Sequence, residues 1–372
     1  MKRLEDKHLK TIKEWRSCPM SNYVCTVTNY TQNEANTPRG LALLSMLIQK
    51  GTRDFSEDNV NKFYQCSLSG LCSDQGFDET DIPELVRAMR AEIVDAGEAP
   101  ENAYKVRDQI MDARPLVNEA DAGEIEELPV QYEDSDLLFL STPWYTPIHT
   151  NVATASLQLF QKTSLSINTL EKGMEAGSLL FELGFWDEAK AKGNQLISEI
   201  KKRSITKVIS PCPHQLFAIQ KYFGELGLEL PSELKLEPLT QTILKLLKKD
   251  SLTLDINLDT EVAVHEACLL ARDLEFVNTG EELQEHLLEG DAVDLRWSGA
   301  ETRCCGGSTP QFIFPELAKK VTDTNLSDMV AGQEQRLDKL VTTCPYCQRA
   351  FDSVNPDFEI IDFPSFVLKH AS

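Results

Sequence analysis

Half of the ten cysteines lie between Cys268 and Cys347, and they read Cys268, then Cys304-Cys305-Gly306, then Cys344-Pro345-Tyr346-Cys347. No other feature restricts the chain as strongly. Cys268 follows the β-prone run EVAVHEA and Cys344 follows KLVTT. Both thiols are therefore expected just past the C-terminal ends of strands, where open α/β sheets place their ligands. A Cys-x-x-Cys at the start of a helix has its thiolates favoured by the helix dipole, which suits metal ligation. A tetrahedral zinc site takes four ligands, usually from two separated pairs. Here there are five cysteines, and two are adjacent. Neighbouring side chains on extended backbone point to opposite sides, so one small ion is an awkward target for both. A polynuclear iron–sulfur cluster presents several irons, and adjacent thiolates can each reach a different one. Gly306 and Gly307 would let the backbone pass close to it. The competing readings are zinc, a strained vicinal disulfide and a set of inert buried thiols.

Composition narrows the setting. At 372 residues the chain has room for two or three domains. Its net charge of −22 argues against a nucleic-acid groove or an anionic membrane surface as the main partner. No apolar run approaches the roughly 20 residues that span a bilayer. The opening MKRLEDKHLK lacks the apolar core of a signal peptide. The expectation is a cytoplasmic protein, in which ten cysteines point to metal or redox use and not to a disulfide framework.

The chain divides by pattern. Residues 1–95 read as helices joined by loops. Arg39-Gly40 leads into LALLSMLIQK, and Asp81-Ile82-Pro83-Glu84 opens another helix with Pro in its first turn. Residues 96–134 are acidic and read as a linker or surface excursion. From Leu137, short β-prone runs (LLFLS, KVIS, EVAVHE, KLVTT) alternate with helical patterns such as Glu233–Lys249 and Pro315–Val330. That alternation predicts a parallel α/β arrangement. The region also repeats itself at a period of about 130 residues, the length of a domain. VISPCPHQLF matches VTTCPYCQRAF, LEPLTQTILKLLK resembles IDFPSFVLKHA, and DEAKAKGNQL resembles ELAKKVTDTNL. Two copies of one unit, 135–255 and 256–372, explain the order.

The late cysteine pattern resembles the cysteine-rich CCG domain of heterodisulfide reductase, found also in the iron–sulfur subunits of glycolate oxidase, anaerobic glycerol-3-phosphate dehydrogenase and lactate-utilisation proteins. The resemblance implies a duplicated α/β unit with parallel sheets, preceded by a small helical ferredoxin-like domain that Thr37-Pro38-Arg39-Gly40 matches. It also implies one 4Fe–4S cluster held by Cys268, Cys304, Cys305, Cys344 and Cys347, of the noncubane type in heterodisulfide reductase itself. His265 would orient that cluster through hydrogen bonding, with Gly306 and Gly307 beside it.

The departures from the family pattern are specific. In the first copy only Cys212 remains. The early cysteine falls near Ser141–Trp144, the CCG near Gly173–Ser178, and Gln215 replaces the companion of Cys212. The first copy is expected to be scaffold, with replacing Cys212 changing the cluster little. Trp144, Tyr145 and His149 would line a vacated pocket or fill it. In the ferredoxin-like region Cys18 and Cys25 match the second and fourth positions of one C-x2-C-x2-C-x3-C run, and Cys66 and Cys72 the first and third of the other. Cys25, Cys66 and Cys72 would then be three ligands of a second cluster, completed by Ser69, Cys18 or a water. A clusterless helical docking module is the other reading. His214 reads as a surface or capping residue. His8, His286 and His370 read as solvated or terminal, and Glu171 with Glu175 as a solvated helical face. No Gly-rich phosphate loop follows a strand, so a flavin is expected in a partner and not in this chain.

By this resemblance the chain is a non-autonomous oxidoreductase subunit. It would relay electrons to or from a flavoprotein partner, alongside other iron–sulfur subunits. The alternatives are disulfide reduction at the cluster, as in heterodisulfide reductase, and a zinc-bearing or metal-free scaffold.

Overall fold

The computed structural model describes residues 2–76, 80–116, 135–141, 147–163, 165–171, 173–254, 261–276, 279–287, 293–331 and 337–371. The acidic run 117–134, Trp144 and Tyr145 lie outside them, as do the side chains of His149 and His286.

The first part is helical, with principal helices Asp6–Trp15, Pro38–Gln49, Glu57–Gln65, Ile82–Asp95 and Glu101–Met111. Local signals explain their starts. Thr37 Oγ1 accepts from Gly40 N at 2.8 Å, and Asp81 Oδ1 accepts from Glu84 N at 3.3 Å, each followed by a proline in the first turn. The acidic stretch read as a linker is not one throughout. Glu101–Met111 forms a helix that buries Ala103, Val106 and Ile110, an apolar stripe hidden among charged residues. His8 is also buried, where its Nδ1 accepts from Glu5 N at 2.9 Å and closes a capping box.

The remainder is α/β. Its strands are β1 (Leu137–Phe139), β2 (Lys207–Ser210), β3 (Lys235–Pro238), β4 (Val262–His265), β5 (Lys339–Thr342) and β6 (Glu359–Asp362). They form two three-stranded parallel sheets of identical order, β1-β2-β3 and β4-β5-β6. The two copies correspond further. The matched segments 187–196 and 316–326 lie on the helices Trp186–Lys202 and Pro315–Met329. Each third strand runs directly into a helix, Leu239–Lys248 or Phe363–His370. The pattern read as one helix over Glu233–Lys249 is thus a strand and a helix, because Lys235–Pro238 pairs with β2.

One apolar core runs through the helical part and both copies, from Ile12 and Trp15 through Phe63 and Leu179 to Phe351. Two arginines, Arg90 buried and Arg272 partly buried, cross these boundaries. Arg90 donates to the carbonyls of Phe63, Cys66 and Glu182 and to Thr309 Oγ1. Arg272 donates to the Ser69 carbonyl at 2.7 Å and to that of Thr302 at 2.7 Å. Such charge-assisted bonds are about twice as strong as neutral ones, so the loop 66–70 is held firmly over the second sheet.

Candidate metal centre

Three turns meet at the C-terminal edge of the second sheet. Cys268 follows β4 and caps a π-helical turn, Leu269–Asp273. Cys344 follows β5 and is the N-cap of Pro345–Asp352, which carries Cys347 in its first turn. Because His265 pairs with Thr342, the two chains leave the sheet side by side. Ala267 N donates to Thr343 Oγ1 at 2.9 Å, which ties these turns together. Cys304 and Cys305 arrive on a loop held by Asn325 Nδ2, which donates to the Cys304 carbonyl at 2.9 Å. Gly306 has φ +84°, and a Cβ there would lie 2.9 Å from Val321 Cγ1. At Gly307 a Cβ would come within 2.6 Å of Ala350 Cβ. Only glycines let the loop pass, and their N–H groups donate to Cys304 Sγ at 3.3 Å and Cys305 Sγ at 3.4 Å.

The five late thiols are buried and share one neighbourhood, with Cys268 acting on Cys304, Cys304 on Cys305, Cys305 on Cys347 and Cys347 on Cys344. They line a small cavity of about 10 Å³ together with His214 and Tyr346. Pairing with Cys268 and Cys305 pulls the Cys304 thiol well below its ordinary range. Burial opposes charge at Cys344, but Cys212, Cys347 and His214 outweigh it and pull that thiol down as well. Two of the five sulfurs are thus favoured as thiolates, the form that binds metal.

His265, on the last position of β4, is fully buried with neither ring nitrogen hydrogen-bonded among the described residues. Burial pushes its pKa down to about 4. Its ring packs edge-on against Phe351 at 5.0 Å. A buried polar group without a partner is costly, so a missing acceptor or donor is implied beside it. The donor set fits a polynuclear iron–sulfur cluster: five soft thiols in one run, two N–H···S contacts and an imidazole lacking its partner. Among the described residues no group of three or more His, Cys, Asp or Glu is gathered to hold a single metal ion.

Cys212 of the first copy is a neighbour of Cys344 in the second. One sequence reading needs correction here. His214 is no surface residue. It is buried, its Nδ1 lies 2.7 Å from Glu182 Oε1, and its ring meets Tyr346 edge-on at 4.4 Å. Burial disfavours its charge, but Glu182 and Cys344 overcome that and push its pKa up to about 10. Its Cys-Pro-His context gave no sign of this, because Glu182 and Tyr346 come from other segments.

Among the N-terminal thiols, Cys25, Cys66 and Cys72 act on one another, and Cys304 acts on Cys25 and Cys66. Burial pushes all three up, Cys66 to about 11. Cys18 is buried beyond the first helix and is not among the strongest neighbours of these three. Ser69 turns its carbonyl to Arg272, and the neighbouring Ser67 side chain reaches Cys304. Sequence reasoning missed Ser67, Arg90 and Arg272.

Residues 262–352 match the family described as Cysteine-rich domain, CCG. A particular relative is a subunit of the dihydromethanophenazine:CoB–CoM heterodisulfide reductase of Methanosarcina acetivorans, 28% identical over 182 residues. That alignment covers 47% of this chain and 43% of the relative, so the likeness spans less than half of that protein. Among the described residues no helix is long and apolar enough to cross a membrane.

Proposed function

We propose that the chain is an iron–sulfur electron-transfer subunit of an oxidoreductase complex. In this reading Cys268, Cys304, Cys305, Cys344 and Cys347 hold one 4Fe–4S cluster. The observation that carries it is the unbroken run of five buried thiols at the mouth of the second sheet, beside an imidazole with neither nitrogen paired. A bound cluster supplies one-electron transfer. The chain's own part is to bind it, to exclude water and to set its potential through burial and hydrogen bonds to sulfur. Gly306 N and Gly307 N are such donors, and His265, buried with neither ring nitrogen paired among the described residues, is the candidate for another. Cys25, Cys66 and Cys72 are the ligand set for a second cluster, a role supported by their mutual proximity. Ser69 or Cys18 is the candidate for its fourth position.

Metabolic substrates mostly give up electrons in pairs, so a cytoplasmic complex with a flavoprotein and further iron–sulfur subunits completes the proposal. A second reading, disulfide reduction at the cluster, draws on the relative's description as part of a heterodisulfide reductase. Anaerobic purification with redox poising tests the first reading. It expects a paramagnetic cluster signal and a co-purifying flavoprotein, and a colourless, zinc-containing protein would overturn it. Cleavage of a mixed disulfide by the reduced purified chain would favour the second.

A further inference from the structure

Arg90, on the helix Ile82–Asp95, is fully buried and reaches the loop that carries Cys66. A guanidinium has five N–H donors, and here they are all engaged. Nε and Nη2 donate to the Phe63 carbonyl at 3.1 and 2.8 Å, and Nη2 donates to the Cys66 carbonyl at 2.6 Å. Nη1 donates to the Glu182 carbonyl at 2.8 Å and to Thr309 Oγ1 at 3.3 Å. All these acceptors are neutral, and among the described residues no hydrogen-bond partner of Arg90 is a carboxylate. The Glu182 carboxylate turns instead to His214 Nδ1, 2.7 Å away. A guanidinium keeps its charge at any working pH. Its hydrogen bonds are complete, but its charge has no counter-ion.

Two helix ends explain part of this placement. Cys66 is the C-cap of Glu57–Gln65, and Glu182 lies in the last turn of Ser178–Leu183, so these carbonyls carry partial negative charge. Capping alone asks for no cation, because neutral donors and water serve helix ends as well. The position of the charge is the second observation. Covalent geometry fixes how far a cysteine's carbonyl lies from its sulfur, so the guanidinium stands within about 8 Å of Cys66 Sγ. Contacts bring Cys25 to the same place. Its Sγ lies 3.9 Å from the Asn36 carbonyl, and Asn36 Nδ2 donates at 2.5 Å to Gln65, the residue before Cys66. The loop beyond Cys66 holds the buried Leu68 at φ +58°, a costly conformation for such a side chain, between the clamps of Arg90 and Arg272. Resting on the reading that Cys25, Cys66 and Cys72 hold a second cluster, we propose that Arg90 is the buried counter-ion of that centre and raises its reduction potential. A thiolate-bound cluster is anionic, and reduction adds one further negative charge. A fixed cation away from water therefore favours the reduced form more than the oxidised one.

The test is an anaerobic redox titration of the full chain, followed by electron paramagnetic resonance, with iron counted in parallel. The signal lost in Cys66→Ala identifies the second centre. Arg90→Gln can still donate hydrogen bonds but has no charge, and is expected to move that midpoint to more negative potential with iron per chain unchanged. Arg90→Lys keeps the charge, and its midpoint is expected to stay close to the parent's. If the glutamine variant does not fold, Thr309→Asp carries the same expectation, because it sets a carboxylate beside Nη1 and leaves the arginine in place. An unchanged midpoint in Arg90→Gln or Thr309→Asp would overturn the proposal. A lysine variant shifted as far as the glutamine one would overturn it too, by making the hydrogen bonds and not the charge the cause. So would loss of iron from both, which would make Arg90 a clamp alone. Absence of a second signal in the parent chain would instead defeat the second-cluster reading itself, so the two failures are distinguishable.

Discussion

In the second copy, Cys304, Cys305 and Cys347 gather beneath the sheet edge. In the first copy the equivalent positions hold Glu175, Ala176 and Gln215, aligned by the glycines that follow, Gly306 at φ +84° and Gly177 at φ +72°. The loop keeps its shape without thiols because hydrogen bonds span the same gap. Gln215 Oε1 accepts from Ala176 N at 2.7 Å, and Gln215 Nε2 donates to Ser178 Oγ at 2.8 Å. One amide does in the first copy what ligand sulfurs are proposed to do in the second. Glu175, read from sequence as part of a solvated helical face, is buried in this loop and is not helical. The difference shows that the backbone cradle keeps its shape whether or not thiols line it.

The largest expected effect comes from breaking the ligand set. Cys305→Ala should abolish the cluster's visible absorbance and its paramagnetic signal, whereas the first copy already has Ala176 at that position. An unchanged spectrum would remove the ligand assignment. Next is the joint between the copies and the helical part. Arg90→Leu leaves the carbonyls of Phe63, Cys66 and Glu182 without their donor, and should cost about 2–5 kcal/mol in urea denaturation. A loss below about 1 kcal/mol would mean that water replaces the guanidinium there.

The glycines compare the copies directly. Gly306→Ala and Gly177→Ala each force a side chain into a left-handed position, with contacts of 2.9 Å to Val321 Cγ1 and 2.8 Å to the Ala189 carbonyl. Each should cost about 1–3 kcal/mol. Only the first should also lower iron content. Equal iron loss in both would erase the distinction between the copies.

The smallest effect is a pH dependence confined to the first copy. Burial pushes the Glu175 carboxyl from 4.5 up to about 7. Between those values the unfolded chain has released the proton that the folded chain still holds, so stability falls as pH rises through that window. Glu175→Gln should flatten the slope and raise stability at about pH 8 by about 1–3 kcal/mol relative to the parent. Parallel denaturation curves at about pH 5 and pH 8 measure it, and an unchanged slope would contradict the assignment.

Much of this was legible beforehand, for physical reasons. β1, β2, β4 and β5 are short apolar runs such as LLF and VAVH, and the strand ends placed Cys268 and Cys344 correctly. β3 and β6 were not legible as strands, because EIID carries charges and KLEP both charges and a proline. The run of late thiols followed from spacing. The parts supplied by distant segments did not. Arg90 reaches Thr309 across 219 residues, and Arg272 reaches Ser69 across 203. His214 meets Tyr346 only when the two copies dock.

The most direct measurement is a count of iron, acid-labile sulfide and zinc per chain in anaerobically prepared protein. The proposed reading predicts iron and sulfide in about equal amounts, about four of each for every cluster bound, with negligible zinc. Stoichiometric zinc without sulfide would contradict it.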